Sequence, residues 1–564
     1  MTAIASRLER TWPYTNTKMG VRLDGYHATL SEESRPALLM LLAAVGLLLL
    51  IVCSNVANLQ LGRAAARERE MGIRQALGAG RFRLIRQLLT ESVMLSLAGG
   101  ALGLVVAIAA RVALLRLAPA AIPGFAELRM DPWVILFNAA ITLCAPLLFG
   151  VVPALASSRP GALRDRSESA SHASRSLRDL LVACEVALSV VLVVGAGLLV
   201  RSLLLLERVD PGFRPEGAVS FSLSFPDVRY SDDARGAVEA IENRLRVLPG
   251  VRAVGAATTL PLNGCAYTGD ATVEGRGGED YERELRHDII TPGYFQVMDT
   301  PLIRGRFLNE FDTAKGPPVA IVNQTLARIY FRGADPIGRR LKYGRPLDKN
   351  EAWVTVVGVV ADARQDGLDA PVQPEAWTPL RQQPLSGIAF VLRGDADLAA
   401  LIAAARHEVH AIDKDLVLTG VTPLHDLLRD SAGDQRFRTT LLSAFAGIAL
   451  FLAALGVYGV LAYSVAQRAK EIGVRMALGA GTARLFGMVL GDGLRPVAAG
   501  AVLGLAGAWP ATRMIRSLLF GVAPADPASY ALAIVILAAA AVCACAIPAT
   551  KAIRVDPVVS LREQ

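Results

Sequence analysis

The chain has 564 residues, of which 53% are hydrophobic and only 20% are charged, so it is too long for one domain and has the composition of a membrane protein. Its net charge of +8 could indicate binding to nucleic acid or acidic lipid. The arginines, however, cluster beside apolar runs, and no basic face interleaved with aromatic residues occurs. This pattern argues against nucleic acid as a partner and predicts a protein embedded in membrane lipid.

Seven apolar runs follow one another along the chain. Each is long enough to cross about 30 Å of hydrocarbon as a helix. The runs cover residues 36–60, 92–117, 133–156, 178–203, 440–466, 486–517 and 529–550. Asp492 and Arg495 interrupt the start of the sixth run, so we expect that helix to enter lipid only near Pro496.

The flanking charges predict the orientation of these runs. Arginine and lysine are concentrated after the first run, near 157–178, after the fifth run and in the C-terminal tail. With seven spans these regions all lie on one side, and the positive-inside rule makes that side the cytoplasm. The segment from about 204 to 437 and the N-terminus then lie outside.

The external segment has the composition of a globular domain. AVSFSLSF (218–225) and VRAVGAATT (251–259) have strand patterns and flank a helical pattern at 234–247, which predicts a β-α-β start. WVTVVGVVADA (353–363) and IAFVLRG (388–394) are typical of buried strands, and 397–411 of a helix. We therefore expect a mixed α/β domain, with two subdomains as one arrangement.

An arginine-bearing segment occurs twice, as EMGIRQALGAG (70–80) and as EIGVRMALGAG (471–481). The duplication extends further, because Gly99 and Gly103 form a GxxxG pattern that Gly500 and Gly504 repeat. Small residues at this spacing let membrane helices approach closely. Four spans separate the two copies, so the two halves are predicted to run parallel.

Few residues indicate catalysis. The chain contains no GxxxxGK[ST] motif, so it is not expected to bind ATP by itself. His407-Glu408-Val409-His410 lacks the HExxH spacing of a zinc protease, and Cys265 has no recognisable partner, so we expect no metal and no catalytic residue. Glu185 lies within the fourth run, where an acid is a functional candidate, although it could also reach the interface or pair with an arginine.

Four longer stretches match a known family in order: ITPGYFQVMDTPLIRGRFLNEFD (290–312), VAIVNQTLARIYFRGADPIGRRL (319–341), VTVVGVVADARQDGL (354–368) and GIALFLAALGVYGVLAYSVAQRAKEIGVRMALGAG (447–481). The chain resembles the MacB/FtsX type of ABC transporter permease, and among these the acidobacterial duplicated orphan permeases. The resemblance implies a multi-pass protein of the bacterial inner membrane, with its C-terminus in the cytoplasm and residues 204–437 in the periplasm.

The resemblance also assigns roles to the duplicated segment. In such permeases it is a coupling helix that docks on a separate ABC ATPase dimer, which alone binds ATP. The positions carried over are Glu70, Gly72, Arg74, Leu77, Gly78, Glu471, Gly473, Arg475, Leu478 and Gly479. An interfacial amphipathic helix that anchors to lipid is the alternative. A periplasmic adaptor or an outer-membrane channel is a further implied partner.

The expected domains are a periplasmic remnant (1–35), a first FtsX-like unit (36–157), a cytoplasmic linker (158–177), a transmembrane helix (178–203), a MacB-like periplasmic core domain (204–437) and a second FtsX-like unit (438–564). The family's duplicated members have eight spans and two external domains. Relative to them, the first helix and most of the first external domain are absent here, so we expect either a truncated reading or a degenerate copy.

The sequence is compatible with three functions. The leading one is a permease that converts ATP-driven closure into movement of the periplasmic domain and expels a substrate. The second is a non-transporting scaffold that regulates a periplasmic partner such as a cell-wall hydrolase. The third, a membrane-anchored enzyme, is disfavoured because no catalytic constellation occurs.

Overall fold

The computed structural model describes residues 2–12, 26–66, 81–117, 131–143, 168–225, 230, 234–264, 267–275, 282–344, 352–383, 387–467 and 482–553. The chain divides into two compact units. We call residues 1–204 together with 435–564 the membrane unit, and residues 205–434 the globular unit. The repeated segments 70–80 and 471–481, as well as Cys265, lie outside the described residues.

The helices are α1 (Thr2–Thr11), α2 (Tyr26–Ala66), α3 (Arg81–Leu117), α4 (Pro132–Leu143), α5 (Glu168–Leu206), α6 (Ala234–Arg246), α7 (Tyr294–Met298), α8 (Gln324–Phe331), α9 (Leu398–Ile412), α10 (Leu424–Ser431), α11 (Gly433–Gln467), α12 (Thr482–Met514) and α13 (Pro527–Ile553). The strands are β1 (Ala218–Ser224), β2 (Val251–Ala257), β3 (Tyr267–Val273), β4 (Glu282–Ile290), β5 (Leu302–Gly305), β6 (Val319–Asn323), β7 (Arg340–Tyr343), β8 (Val354–Val360), β9 (Glu375–Pro379), β10 (Gly387–Gly394) and β11 (Thr419–Pro423).

Five described helices are long and apolar enough to cross a membrane. Their candidate spans are Arg35–Asn58 in α2, Val93–Val112 in α3, Ser176–Leu206 in α5, Gly433–Val465 in α11 and Pro527–Pro548 in α13. Helix α4 is apolar but shorter, and α12 carries Asp492 and Arg495 in its first half. The total of seven spans therefore stays a prediction. The helices also extend beyond the apolar runs: α2 has 41 residues and is about 60 Å long.

Helix α5 is the most enclosed of these spans. Of its apolar window 56% is buried, against 33% or less for the other four. One cluster joins it to α2 and α11 through Ala44, Leu192 and Leu442, and another joins it to α11, α12 and α13. Small residues let the helices approach closely. A Cβ added to Gly195 would lie 3.5 Å from Leu442, and one added to Gly197 would lie 3.9 Å from Ser529.

The two GxxxG pairs have different surroundings. A Cβ on Gly500 would collide with the Ala183 carbonyl of α5, and one on Gly504 would lie 2.7 Å from the Ala187 carbonyl. The pairing advances by four residues on both helices, as expected for parallel helices in close contact. On α3, a Cβ at Gly99 or Gly103 would meet no described atom within 4 Å.

In the globular unit, four strands in the order β11-β1-β10-β2 form one end of the sheet. Strand β10 runs antiparallel to both β1 and β2, so the predicted β-α-β start is confirmed with β10 inserted between its two strands. Helices α6 and α9 cover one face through side chains such as Ile241 and Val409, which pack on Phe221 and Phe390. Helix α7 covers the other face, where Tyr294 packs near Val391.

The rest of the sheet closes on itself. Strands β4, β3, β7, β8, β6 and β9 pair in succession, and β9 pairs back with β4 in parallel. Small and branched side chains form a separate core here, among them Ala320, Val356 and Leu341. Strand β2 joins β4 through one residue pair, Ala257 and Ile290. One continuous sheet of 11 strands thus contains both an open part and a closed ring.

Two carboxyl groups are buried where β4 and β9 meet. Asp288 and Glu375 are 4% and 2% exposed. Burial raises the pKa of Asp288 to about 7, although the Ile289 amide donates a hydrogen bond of 3.0 Å to it. Burial, together with the charge of Asp288, raises the pKa of Glu375 well above its ordinary value. Both groups therefore bind a proton more tightly in the folded domain than in the unfolded chain.

The glycine contacts lead to a first prediction. Gly500→Ala with Gly504→Ala should destabilise the membrane unit by about 1–3 kcal/mol, because the added methyl groups force α12 away from α5. The matched control is Gly99→Ala with Gly103→Ala, which adds the same atoms where no described atom lies within 4 Å and should not lower stability. Thermal unfolding of the purified protein in detergent measures both. Equal loss in the two double variants would contradict the packing described for α12.

The buried carboxyls lead to a second prediction. Since the folded pKa of Asp288 exceeds its unfolded value of 3.8, its stabilising contribution is complete below that value and is lost as the pH rises through about 7. The contribution of Asp288 to the free energy of unfolding of the globular unit should therefore fall between about pH 4 and about pH 7, on the order of 1 kcal/mol per pH unit, and should level off above about pH 7. His287, whose pKa burial lowers from 6.5 to about 4, gives the opposite trend between these two values, and does so equally in the unsubstituted protein and in Asp288→Asn.

Asp288→Asn should flatten this fall in a denaturant titration of residues 205–434. Asp312→Asn is the control. Burial raises the pKa of Asp312, but the hydrogen bonds and charge of Arg306 and the Asn309 amide bring it below its ordinary value. That variant should lose stability equally at pH 5 and at pH 7, since Asp312 stays ionised at both. An unchanged slope in Asp288→Asn would show that Asp288 does not carry the proton.

Candidate functional site

The positions carried over for ATPase coupling all lie outside the described residues, namely Glu70, Gly72, Arg74, Leu77 and Gly78 and their repeats Glu471, Gly473, Arg475, Leu478 and Gly479. The helices on either side are described. One segment follows α2 and precedes α3, and the other follows α11 and precedes α12. The coupling role therefore stays a prediction.

A polar contact joins three helices inside the membrane unit. Glu185 of α5 has no exposed surface. Asn55 of α2 donates one amide hydrogen to Glu185 Oε1 at 2.5 Å and the other to the Leu452 carbonyl oxygen of α11 at 2.9 Å. Because both partners are acceptors, the orientation of the Asn55 amide is fixed. We call Asn55, Glu185 and Gly456 the carboxyl site.

Gly456 of α11 makes room for this contact. A Cβ at this position would collide with Glu185 Oε2 and would lie 2.9 Å from Asn55 Oδ1. The same 401-residue spacing that separates Glu70 from Glu471 also separates Asn55 from Gly456. Equivalent positions of the two repeats therefore lie against one carboxyl group, one supplying an amide and the other supplying space.

Neighbouring polar side chains tie the same helices together. Ser54 of α2 donates to the Leu181 carbonyl of α5 at 3.1 Å, and Ser189 of α5 donates to the Ala449 carbonyl of α11 at 3.2 Å. Asn58 is buried, and its side-chain atoms have no hydrogen-bond partner among the described residues. Hydrogen bonds between helices are one means by which membrane helices associate.

The expectation that Glu185 reaches the membrane interface or pairs with an arginine is wrong. Its side chain does not reach an interface, because it is fully buried between α2, α5 and α11. It also has no ion pair with an arginine among the described residues, since Arg178 of α5 instead lies over the Tyr463 ring at 4.3 Å. The physical reason is the central position of α5, which hydropathy alone does not reveal.

A second polar contact fixes the other end of α5. Arg201 contacts both carboxylate oxygens of Asp526 at 2.5 Å. Asp526 precedes α13 and accepts from the Ser529 backbone amide at 2.9 Å and from its hydroxyl at 2.8 Å. An aspartate in this place, followed by Pro527, is a favourable start for a helix. The start of α13 is thereby held against α5.

The remaining sequence candidates do not assemble into a site. On α9, His407 and His410 are exposed, and Glu408 pairs with Arg244 at 3.3 Å. Among the described residues, no group of three potential ligands could hold a metal ion. The carboxyl site was only partly visible in the sequence. Glu185 was noted as an acid within an apolar run, and Gly456 could have been found from the register of the repeat.

Two family models match the chain. The FtsX-like permease C-terminal model matches residues 42–161 and 443–557, so it occurs twice. The model of the MacB-like periplasmic core domain matches residues 185–408. The carboxyl site therefore joins a residue of each FtsX-like region to the helix that leads into the periplasmic core domain.

Two curated relatives are both named as export ATP-binding/permease proteins. The macrolide export ATP-binding/permease protein MacB of Azoarcus sp. is 29% identical over 292 residues, which are 48% of this chain and 41% of that protein. The pyoverdine export ATP-binding/permease protein PvdT of Pseudomonas putida is 27% identical over 291 residues, with the same two shares. The chain thus matches about two fifths of the length of these relatives.

Among solved structures, the periplasmic region of MacB from Actinobacillus actinomycetemcomitans covers 39% of this chain and 93% of its own, at 16% identity and a TM-score of 0.27. That likeness is too weak to add to the family matches. The matches themselves account for both repeats and for the domain between them. With two FtsX-like regions around a MacB-like periplasmic core domain, the chain is similar to the MacB-like permeases of ABC transporters.

Proposed function

We propose that the chain is the membrane component of an ABC transporter in which a separate ATPase dimer drives movement of the periplasmic core domain and so expels a substrate from the periplasm. The observation that carries this proposal is the arginine-bearing segment, which follows the first helix of each FtsX-like region. Two equivalent segments suit a dimeric partner, because each can contact one ATPase subunit in the same way.

The connectivity of the chain supports a mechanical role. Helix α5 leads into the periplasmic core domain, which begins its sheet at Ala218, and α11 follows the last helix of that domain. The two helices contact each other through the hydrogen bond from Ser189 to Ala449. A displacement of the segment after α11 would therefore reach the periplasmic domain through two packed helices.

Export is the role that the relatives favour over regulation of a periplasmic enzyme. The two relatives described above are named as exporters of a macrolide and of pyoverdine. We extend export, but neither substrate, to this chain. In the proposed action the substrate is expelled by the moving periplasmic domain and does not pass through a central pore between the helices.

Reversal of two charges tests the coupling. Arg74→Glu with Arg475→Glu should reduce the amount of ABC ATPase that co-purifies with the tagged chain about tenfold or more, because loss of even one charge-assisted contact costs about 1.4 kcal/mol or more. Mass spectrometry and ATP hydrolysis of the eluate measure the effect. The control is Arg332→Glu with Arg429→Glu, an equal charge change at exposed positions of the globular unit.

If the Arg74/Arg475 variant co-purifies with as much ATPase as the unsubstituted chain, the coupling role is contradicted and an interfacial helix that binds lipid is favoured. The same eluates separate the two membrane functions. An adaptor or an outer-membrane channel protein bound to the chain supports export, whereas a cell-wall hydrolase supports a regulatory scaffold.

A further inference from the structure

The carboxyl site contains a fully buried acid with little to stabilise a negative charge. Asn55 gives Glu185 Oε1 one hydrogen bond from a neutral amide. Glu185 Oε2 is buried and has no hydrogen-bond partner among the described residues. An ionised carboxylate in a region of low dielectric needs a cation or several donors, and without them it takes up a proton.

Among the described residues of the surrounding helices, none brings a charge to this carboxyl group. The nearest ionisable side chains along each packed helix are Cys53 on α2, Arg178, Asp179 and Cys184 on α5, Tyr458 on α11, Asp492 and Arg495 on α12 and Cys545 on α13. None of them makes a hydrogen bond or ion pair with Glu185. Asp492 lies 3.6 Å from Arg495, and Arg178 lies over Tyr463.

The geometry of Gly456 shows where a proton would lie. Glu185 Oε2 and Asn55 Oδ1 are the two oxygens closest to the position of the absent Cβ, so both face the same small space. Two acceptor oxygens facing one space repel each other. A hydrogen on Oε2 converts one of them to a donor, and the acid and the amide can then form a reciprocal pair.

We propose that Glu185 is a proton-binding site within the membrane unit, at which the protonated acid and the Asn55 amide pair in the space left by Gly456 and hold α2, α5 and α11 together. The proton is exchanged with water, and its release leaves a carboxylate with one neutral donor. Release therefore loosens the contact between the two FtsX-like regions. This inference does not depend on the proposed export function.

Infrared difference spectroscopy tests the proposal on the full chain in lipid nanodiscs. Subtracting the spectrum of Glu185→Gln from that of the unsubstituted protein at about pH 7 should reveal the carbonyl band of a protonated carboxyl group. Asp526→Asn is the control, because that carboxylate is paired with Arg201 and its removal should reveal carboxylate bands alone. If the Glu185→Gln difference spectrum shows carboxylate bands and no acid band, the proposal is overturned.

Asn55→Ala provides a second readout that keeps Glu185 in place, which matters if Glu185→Gln does not fold. Loss of the amide donor should shift the acid band to higher frequency, and an unshifted band would refute the reciprocal pair. Stability gives the third readout. The melting temperature of the unsubstituted protein should fall as the pH rises past the titration of Glu185, whereas Glu185→Gln should not show this fall. A fall of the same size in both proteins would refute a proton held by Glu185.

Discussion

The packing of α5 against four other helices is the contact on which the described membrane unit depends. Lipid chains are as apolar as leucine, so membrane helices associate through close packing and polar contacts and not through burial from water. Helix α5 uses both means. Ala183 and Ala187 receive the glycines of α12, Glu185 and Ser189 bond to α2 and α11, and Arg201 holds the start of α13.

This arrangement gives the duplicated chain an asymmetric centre. Gly500 and Gly504 are pressed against α5, while their repeats Gly99 and Gly103 meet no described atom. Asn55 and Gly456 occupy equivalent positions but contribute opposite properties to the carboxyl site. The two FtsX-like regions therefore differ in what they contact. Since α5 also leads into the MacB-like periplasmic core domain, one helix connects all three matched regions of the chain.

Hydropathy and the alternation of polar and apolar residues predicted the elements that depend on residues adjacent along the chain. The strands at 218–224, 251–257 and 354–360 and the long apolar helices are of this kind. Hydropathy did not give the helix ends: α2 begins at Tyr26, ahead of the run starting at residue 36, because a helix continues wherever its backbone bonds and propensities allow. The ring closed by β4 and β9 was not predictable, because it pairs Asp288 with the distant Trp377. The burial of Glu185 depends likewise on how α5 is rotated among its neighbours.

Coupling of a cytoplasmic ATPase to the periplasmic core domain requires that both arginine-bearing segments lie on one side of the membrane and that domain on the other. Single cysteines at Ala76, Ala477 and Ala314, in a chain whose native cysteines are replaced, test this with a membrane-impermeant maleimide on cells whose outer membrane is permeable. The cysteine at position 314 should react in intact cells, and those at 76 and 477 only after the inner membrane is opened. Labelling of position 76 or 477 in intact cells would contradict this topology and the coupling role that depends on it.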